Sequence, residues 1–258
     1  RALLGNRNLR EEDVLTIAQR KNLPPDILET IAKNKVWAES YPVRLALAGN
    51  PKTPLSISLS IARYLRLFDI AEMSCSHHLP LAFRNKVETI IIERVPAMPL
   101  GHRKTLAKRA AGNVLFKLMQ DTEREVISLC LGNPRLQESH LFKLIGRSDT
   151  RAETIRMIAG HGNWSGRPLI RYALVRSKDT PLALSKRFLR TMRLLDLQEL
   201  YADPSLPLGV KPLIHRELLD RGIEPGAQKR DTVVELDEND DIGMEEFQET
   251  REETTDER

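Results

Sequence analysis

Apolar residues alternate strictly with serine over Ser56-Ile57-Ser58-Leu59-Ser60-Ile61, and a period of two by itself predicts a strand. A second version of this stretch lies 127 positions downstream. There it reads Ala183-Leu184-Ser185-Lys186-Arg187-Phe188, followed by Leu189, Met192 and Leu195 at helical spacing. Ile61, Ala62, Leu65 and Phe68 obey the same spacing in the first version, so the pair predicts helices rather than strands. The β-branched run from Val87 to Val95 yields to the same comparison. Its twin, Leu213-Ile214-His215-Arg216-Glu217-Leu218-Leu219, is amphipathic at a period of 3.6.

The correspondence covers residues 1–94, which align without a gap to 128–221, with roughly a quarter of the positions identical. Leu4-Gly5-Asn6 returns as Leu131-Gly132-Asn133, Trp37 as Trp164, and Thr53-Pro54-Leu55 as Thr180-Pro181-Leu182. Residues 95–127 complete the first block, and 222–258 form a linker and tail. Such duplication marks stacked supersecondary units that cannot bury their apolar faces alone. Residues 1–6 align with the end of an apolar helical stretch, so the first copy is expected to start inside a helix of a longer repeat array.

Punctuation divides the blocks. Thr53-Pro54 and Thr180-Pro181 predict an N-cap followed by proline at the first helical position, and Leu79-Pro80 and Leu206-Pro207 mark further starts. Gly49-Asn50-Pro51 and Gly132-Asn133-Pro134 predict stops with glycine left-handed. The resulting helices are 11–21, 25–34, 41–49, 54–67, 69–75, 80–94, 100–111, 114–120, 122–131, 137–146, 151–160, 168–176, 181–195, 197–202 and 207–221. Nothing calls for a sheet.

A shorter motif recurs within each block. It is clearest in Val43-Arg44-Leu45-Ala46-Leu47-Ala48-Gly49-Asn50-Pro51-Lys52-Thr53-Pro54, and it returns at residues 126–134 and 168–181. This resembles the leucine-rich repeat variant of bacterial proteins, a two-helix relative of the HEAT and armadillo repeats. The resemblance implies an all-α fold, a right-handed α-solenoid of HEAT-like repeats, and is nearly silent on function. It also implies that Arg44 with Asp69, and Arg171 with Asp196, tie successive loops together.

Charge changes this picture more than composition does. Residues 229–258 carry 13 acidic and 4 basic side chains, whereas residues 1–228 carry 36 Lys and Arg against 23 Asp and Glu. A body of net +13 therefore precedes a tail of net −9, which is expected to be disordered. Arg63 and Arg66, and their twins Arg190 and Arg193, are expected one turn apart on matched helices. With Lys186 and Arg187 they are the candidates for binding an acidic protein surface or peptide. A second basic run comprises His102, Arg103, Lys104, Lys108 and Arg109. The same field would attract phosphate, so a nucleic-acid-binding solenoid with the tail masking a basic groove is the alternative reading.

Other candidates are weaker. Cys75, His77 and His78 lack the paired spacing of a zinc site and read as a polar turn. Asp237-x-Asn239-x-Asp241 has Ile242 where a calcium loop needs glycine, and Gln248 at its twelfth position. Trp37 and Trp164 read as core residues at equivalent positions. Two cysteines, Cys75 and Cys130, cannot build a disulfide framework and are expected in the core of a cytoplasmic protein. No nucleophile–base pair, phosphate loop or metal-ligand spacing emerges. The expectation is a non-catalytic scaffold without cofactor, metal or membrane segment.

Overall fold

Proline sets many of the helix starts in the computed structural model, which describes residues 9–224. Pro24, Pro54, Pro80, Pro99 and Pro181 each hold an extended conformation and cap the helix that follows. A proline there needs no N–H, and its ring fixes φ near the required value. The first block comprises α1 (Glu11–Gln19), α2 (Pro25–Lys33), α3 (Lys35–Glu39), α4 (Tyr41–Ala48), α5 (Leu55–Ala62), α6 (Leu67–Ser74) and α7 (Leu81–Arg94). Then come α8 (Leu100–Arg109), α9 (Gly112–Leu118) and α10 (Arg124–Leu131). The second block comprises α11 (Glu138–Ile145), α12 (Ala152–Gly160), α13 (Gly162–Ser165), α14 (Pro168–Arg176), α15 (Leu182–Leu189), α16 (Leu194–Ala202) and α17 (Lys211–Asp220). Among the described residues every regular element is helical.

The seven helices of the first block start at the same aligned position as their twins in six cases. Only α17 starts late, at Lys211 against Leu81 for α7. Pro212 occupies its first turn, and the preceding Pro207–Val210 segment forms a separate turn. Trp37 and Trp164 are both buried, on the matched short helices α3 and α13. The indole Nε1 of Trp164 donates to the Leu131 carbonyl at 2.8 Å, which closes the end of α10.

Local details depart from the sequence reading. Pro54 and Pro181 are themselves the capping residues. The Thr53 hydroxyl instead donates backward to the Leu47 carbonyl at 2.7 Å. Gly49 and Gly132 keep negative φ values of −84° and −82°, so neither is left-handed. The neighbouring asparagines do the closing. Asn50 Nδ2 donates to the carbonyls of Ala18 and Arg20 at the end of α1, at 2.7 and 3.0 Å. Asn133 Nδ2 does the same to Ala107 and Ala110 at the end of α8, at 2.8 and 3.1 Å. Each Oδ1 accepts the N–H two residues on, from Lys52 and from Arg135. One buried side chain thus shapes its own turn and ties it to the neighbouring helix.

Packing follows two successions of contacts. Helices α5, α7, α9, α11 and α14 touch in turn, and so do α6, α8, α10 and α12. The row holding α5 and α7 continues through α11 and α14, the twins of α1 and α4. A large apolar cluster runs from Ala48 to Leu218, and a smaller one from Val14 to Leu47 packs beside it. Ile61 touches both. Each buried aliphatic side chain contributes about 1.5–3 kcal/mol, which is what holds successive helices together.

Candidate interaction surface

The periodicity that predicted one helix over 54–67 hides a break. Helix α5 ends at Ala62 and α6 begins at Leu67, so Arg63 follows one helix and Arg66 caps the next. Arg190 and Arg193 flank the α15–α16 turn in the same way. The apolar spacing runs straight through because Leu65 and Met192 remain buried inside their turns.

A pair of clamps, repeated in the two blocks, closes the breaks. Arg94, at the end of α7, donates to the carbonyls of Arg63 and Leu65 at 2.7 and 3.3 Å. Its twin Arg221 donates to Leu189, Arg190 and Met192 at 3.0, 3.0 and 2.8 Å. A guanidinium placed on the open carbonyls of a helix C-terminus satisfies them and complements the helix dipole. The identity of Arg94 and Arg221 in the duplication was the available signal for this, and the sequence reading passed over it.

All six predicted side chains, Arg63, Arg66, Lys186, Arg187, Arg190 and Arg193, are exposed. Arg66 is held: its guanidinium lies 4.6 Å from the centre of the Tyr41 ring, and its N–H donates to the Tyr41 oxygen at 3.1 Å. The Tyr41 hydroxyl in turn donates to Asp69. Burial, and then this bond to Asp69, raise the phenol above its ordinary pKa. Among the described residues Arg63, Arg190 and Arg193 have no side-chain partner. Five successive helix contacts, α5–α7–α9–α11–α14–α15, separate the two turns, so the arginines form two patches.

Arg44 bonds within its own turn, and Arg171 does so while also bonding Thr191 in the α15–α16 turn. They reach back five residues to the Glu39 and Gly166 carbonyls, at 3.2 and 2.7 Å, and do not pair with Asp69 and Asp196. The second basic run is largely neutralised. Arg103 meets the buried Asp121 at 2.5 and 2.6 Å, Lys104 meets Glu125 at 2.5 Å, and Arg109 meets Glu72 at 3.8 Å.

A cleft of about 560 Å³ opens beside the α8–α9 turn, lined by Cys75, Arg84, Glu88, Gly112, Arg135 and His140 among others. Glu88 meets the start of α9, accepting from the Asn113 side-chain amide at 2.9 Å and from its backbone N–H at 3.4 Å. Gly112 has φ of +55°, and a Cβ there would stand 2.4 Å from the Glu88 carboxylate, so any other residue is strained and displaces Glu88. Cys75 is half-buried at this cleft rather than in the core, with its thiol toward the Arg109 carbonyl at 3.6 Å. Cys130 is fully buried, and burial pushes its thiol up to about 12. His78 turns to Ser76 Oγ at 2.7 Å, and among the described residues no three His, Cys, Asp or Glu side chains gather to hold a metal.

His140 carries a pH dependence. Burial, and then the charge of Lys143, hold its imidazole below the ordinary value, with Glu88 opposing. The neutral form is therefore favoured in the folded chain. Its contribution is complete above the unfolded pKa of about 6.5 and is lost as pH falls through the lower folded value. We expect urea midpoints to fall between pH 7.5 and pH 5, and the fall to shrink in His140→Gln. An unchanged difference in that variant would remove His140 as a cause.

Among the described helices, none is long and apolar enough to cross a membrane. The candidate calcium loop and the acidic segment 229–258 lie outside the described residues. The chain matches no protein-family model, no curated protein and no solved structure.

Proposed function

We propose that the chain is a right-handed α-solenoid of HEAT-like repeats that serves as a non-catalytic scaffold, binding an acidic protein segment through its exposed arginines. The observation that carries this reading is the division of labour at the two turns. Arg94 and Arg221 already satisfy the helix-end carbonyls, so the side chains of Arg63 and Arg190 are not needed to hold the turns closed. A positive charge repeated at matched exposed positions with no structural partner is available to a ligand. Neighbour-to-neighbour packing supports an elongated array, and such arrays offer broad surfaces for partners.

Titration of a fluorescent glutamate-rich peptide onto the full chain tests the proposal. Reversing one patch with Arg63→Glu and Arg66→Glu should weaken binding by about tenfold, since exposed pairs are worth up to about 1 kcal/mol each. Reversing Arg190 and Arg193 should act independently, because the patches are separate. Binding that ignores all four changes rejects the reading. Tighter binding to duplex DNA, with a steep loss on adding salt, would favour nucleic acid instead.

A further inference from the structure

The two blocks differ most usefully where Tyr64 aligns with Thr191. In the second block Arg171 is engaged on both sides: one nitrogen binds the Gly166 carbonyl and the other binds the Thr191 hydroxyl and carbonyl. In the first block the twin Arg44 bonds the Glu39 carbonyl and lies 5.8 Å from the centre of the Tyr41 ring, with no bond across to the α5–α6 turn; the Nε of both arginines is buried without a partner. Tyr64 points outward, 76% exposed. Its departure opens a groove of about 290 Å³, lined by Ala32, Ala38, Leu47, Ile61, Tyr64 and Arg44. Arg63 and Arg66 lie within two residues of Tyr64 in the chain and are exposed, Arg63 on the side of α7 and Arg66 over the Tyr41 ring. An apolar slot with an aromatic wall and Arg44 in its lining suits a large apolar side chain flanked by carboxylates.

We propose that the occupant is this chain's own segment 242–249, Ile242-Gly243-Met244-Glu245-Glu246-Phe247-Gln248-Glu249. Phe247 is the sole aromatic residue beyond Glu224, and Glu245, Glu246 and Glu249 surround it. Phe247 enters the groove, and the carboxylates meet Arg44, Arg63 and Arg66. The chain has the length for it. Phe247 lies 23 residues beyond Glu224, a reach of up to about 75–80 Å when extended. Six successive helix contacts, α5–α7–α9–α11–α14–α15–α17, separate the groove from the last helix. At about 8–10 Å each they span at most about 60 Å. The docked segment would compete with an acidic partner for the first patch, so this inference rests on the scaffold reading and adds its regulation.

The test uses the full chain with a benzophenone amino acid at position 247. Illumination should give cross-links within one chain to Ile61 or Tyr64, independent of dilution. They should disappear when Glu245, Glu246 and Glu249 become lysine, changes that leave every described helix intact in sequence. In the same variant, amide exchange over residues 55–64 should quicken several-fold, and the glutamate-rich peptide should bind about threefold tighter. Cross-links that map elsewhere, or that join only separate chains and grow with concentration, overturn the proposal. If the cross-links miss the groove while Arg63→Glu and Arg66→Glu still weaken peptide binding, this inference fails and the scaffold reading stands.

Discussion

Trp164→Ala is expected to destabilise the chain by about 3–5 kcal/mol, the range for removing a buried indole from a packed core. Trp164 is 6% exposed and belongs to the large apolar cluster. Its loss would leave a cavity and also strip the Leu131 carbonyl of its donor. Trp164→Phe keeps one six-membered ring in the core but loses the N–H and the rest of the indole. It should cost less than alanine, about 2–4 kcal/mol, from one unsatisfied buried acceptor and a smaller cavity. Urea denaturation followed by circular dichroism measures both. If Trp164→Ala stays within about 1 kcal/mol of the parent, the residue is not a packing element, and a surface role returns to consideration.

Asn133→Ala should cost about 2–4 kcal/mol. The side chain is 5% exposed and makes three hydrogen bonds, two to the end of α8 and one to its own turn. Alanine leaves the Ala107 and Ala110 carbonyls and the Arg135 N–H without partners, at about 1 kcal/mol or more each. Asn133→Asp is the informative control. It keeps the acceptor for Arg135 but replaces two donors with a charge facing two carbonyls, so it should be no better than alanine. If Asn133→Asp retains full stability, the clamp onto α8 is not the source of the effect. The second block already contains a natural weakening: Ser177 stands at the position of Asn50, and its hydroxyl serves only the Asp179 N–H at 3.4 Å.

Much of the helical architecture was legible because the chain states it twice. Ser56–Ile61 alone mimics a strand, and only its twin, with Phe188, Leu189 and Met192, exposes the helical period. Helices α3 and α13 escaped because five and four residues cannot display a period. The breaks at Arg63–Arg66 and Arg190–Arg193 escaped for a different reason. Leu65 and Met192 stay buried inside the turns, so the apolar rhythm never falters where the backbone does. The candidate arginines could be chosen from the sequence as exposed and repeated, but not assembled. Periodicity says which face of a helix is polar and nothing about which helices lie side by side.

That boundary has a physical basis. Helix type, helix register between the blocks and the burial of Trp37 and Trp164 follow from local propensity and the spacing of apolar residues, and both are written along the chain. Whether Arg94 and Arg221 close the turns beside Arg63 and Arg190 depends on groups about 30 residues apart meeting end to end. So does the contrast between Arg171, which also reaches Thr191, and Arg44, which makes no matching bond. The division of the arginines into two patches depends on how many helices stack between the α5–α6 and α15–α16 turns. Those outcomes come from packing geometry, because hydrophobic burial is non-directional and selects neighbours only once whole helices are stacked.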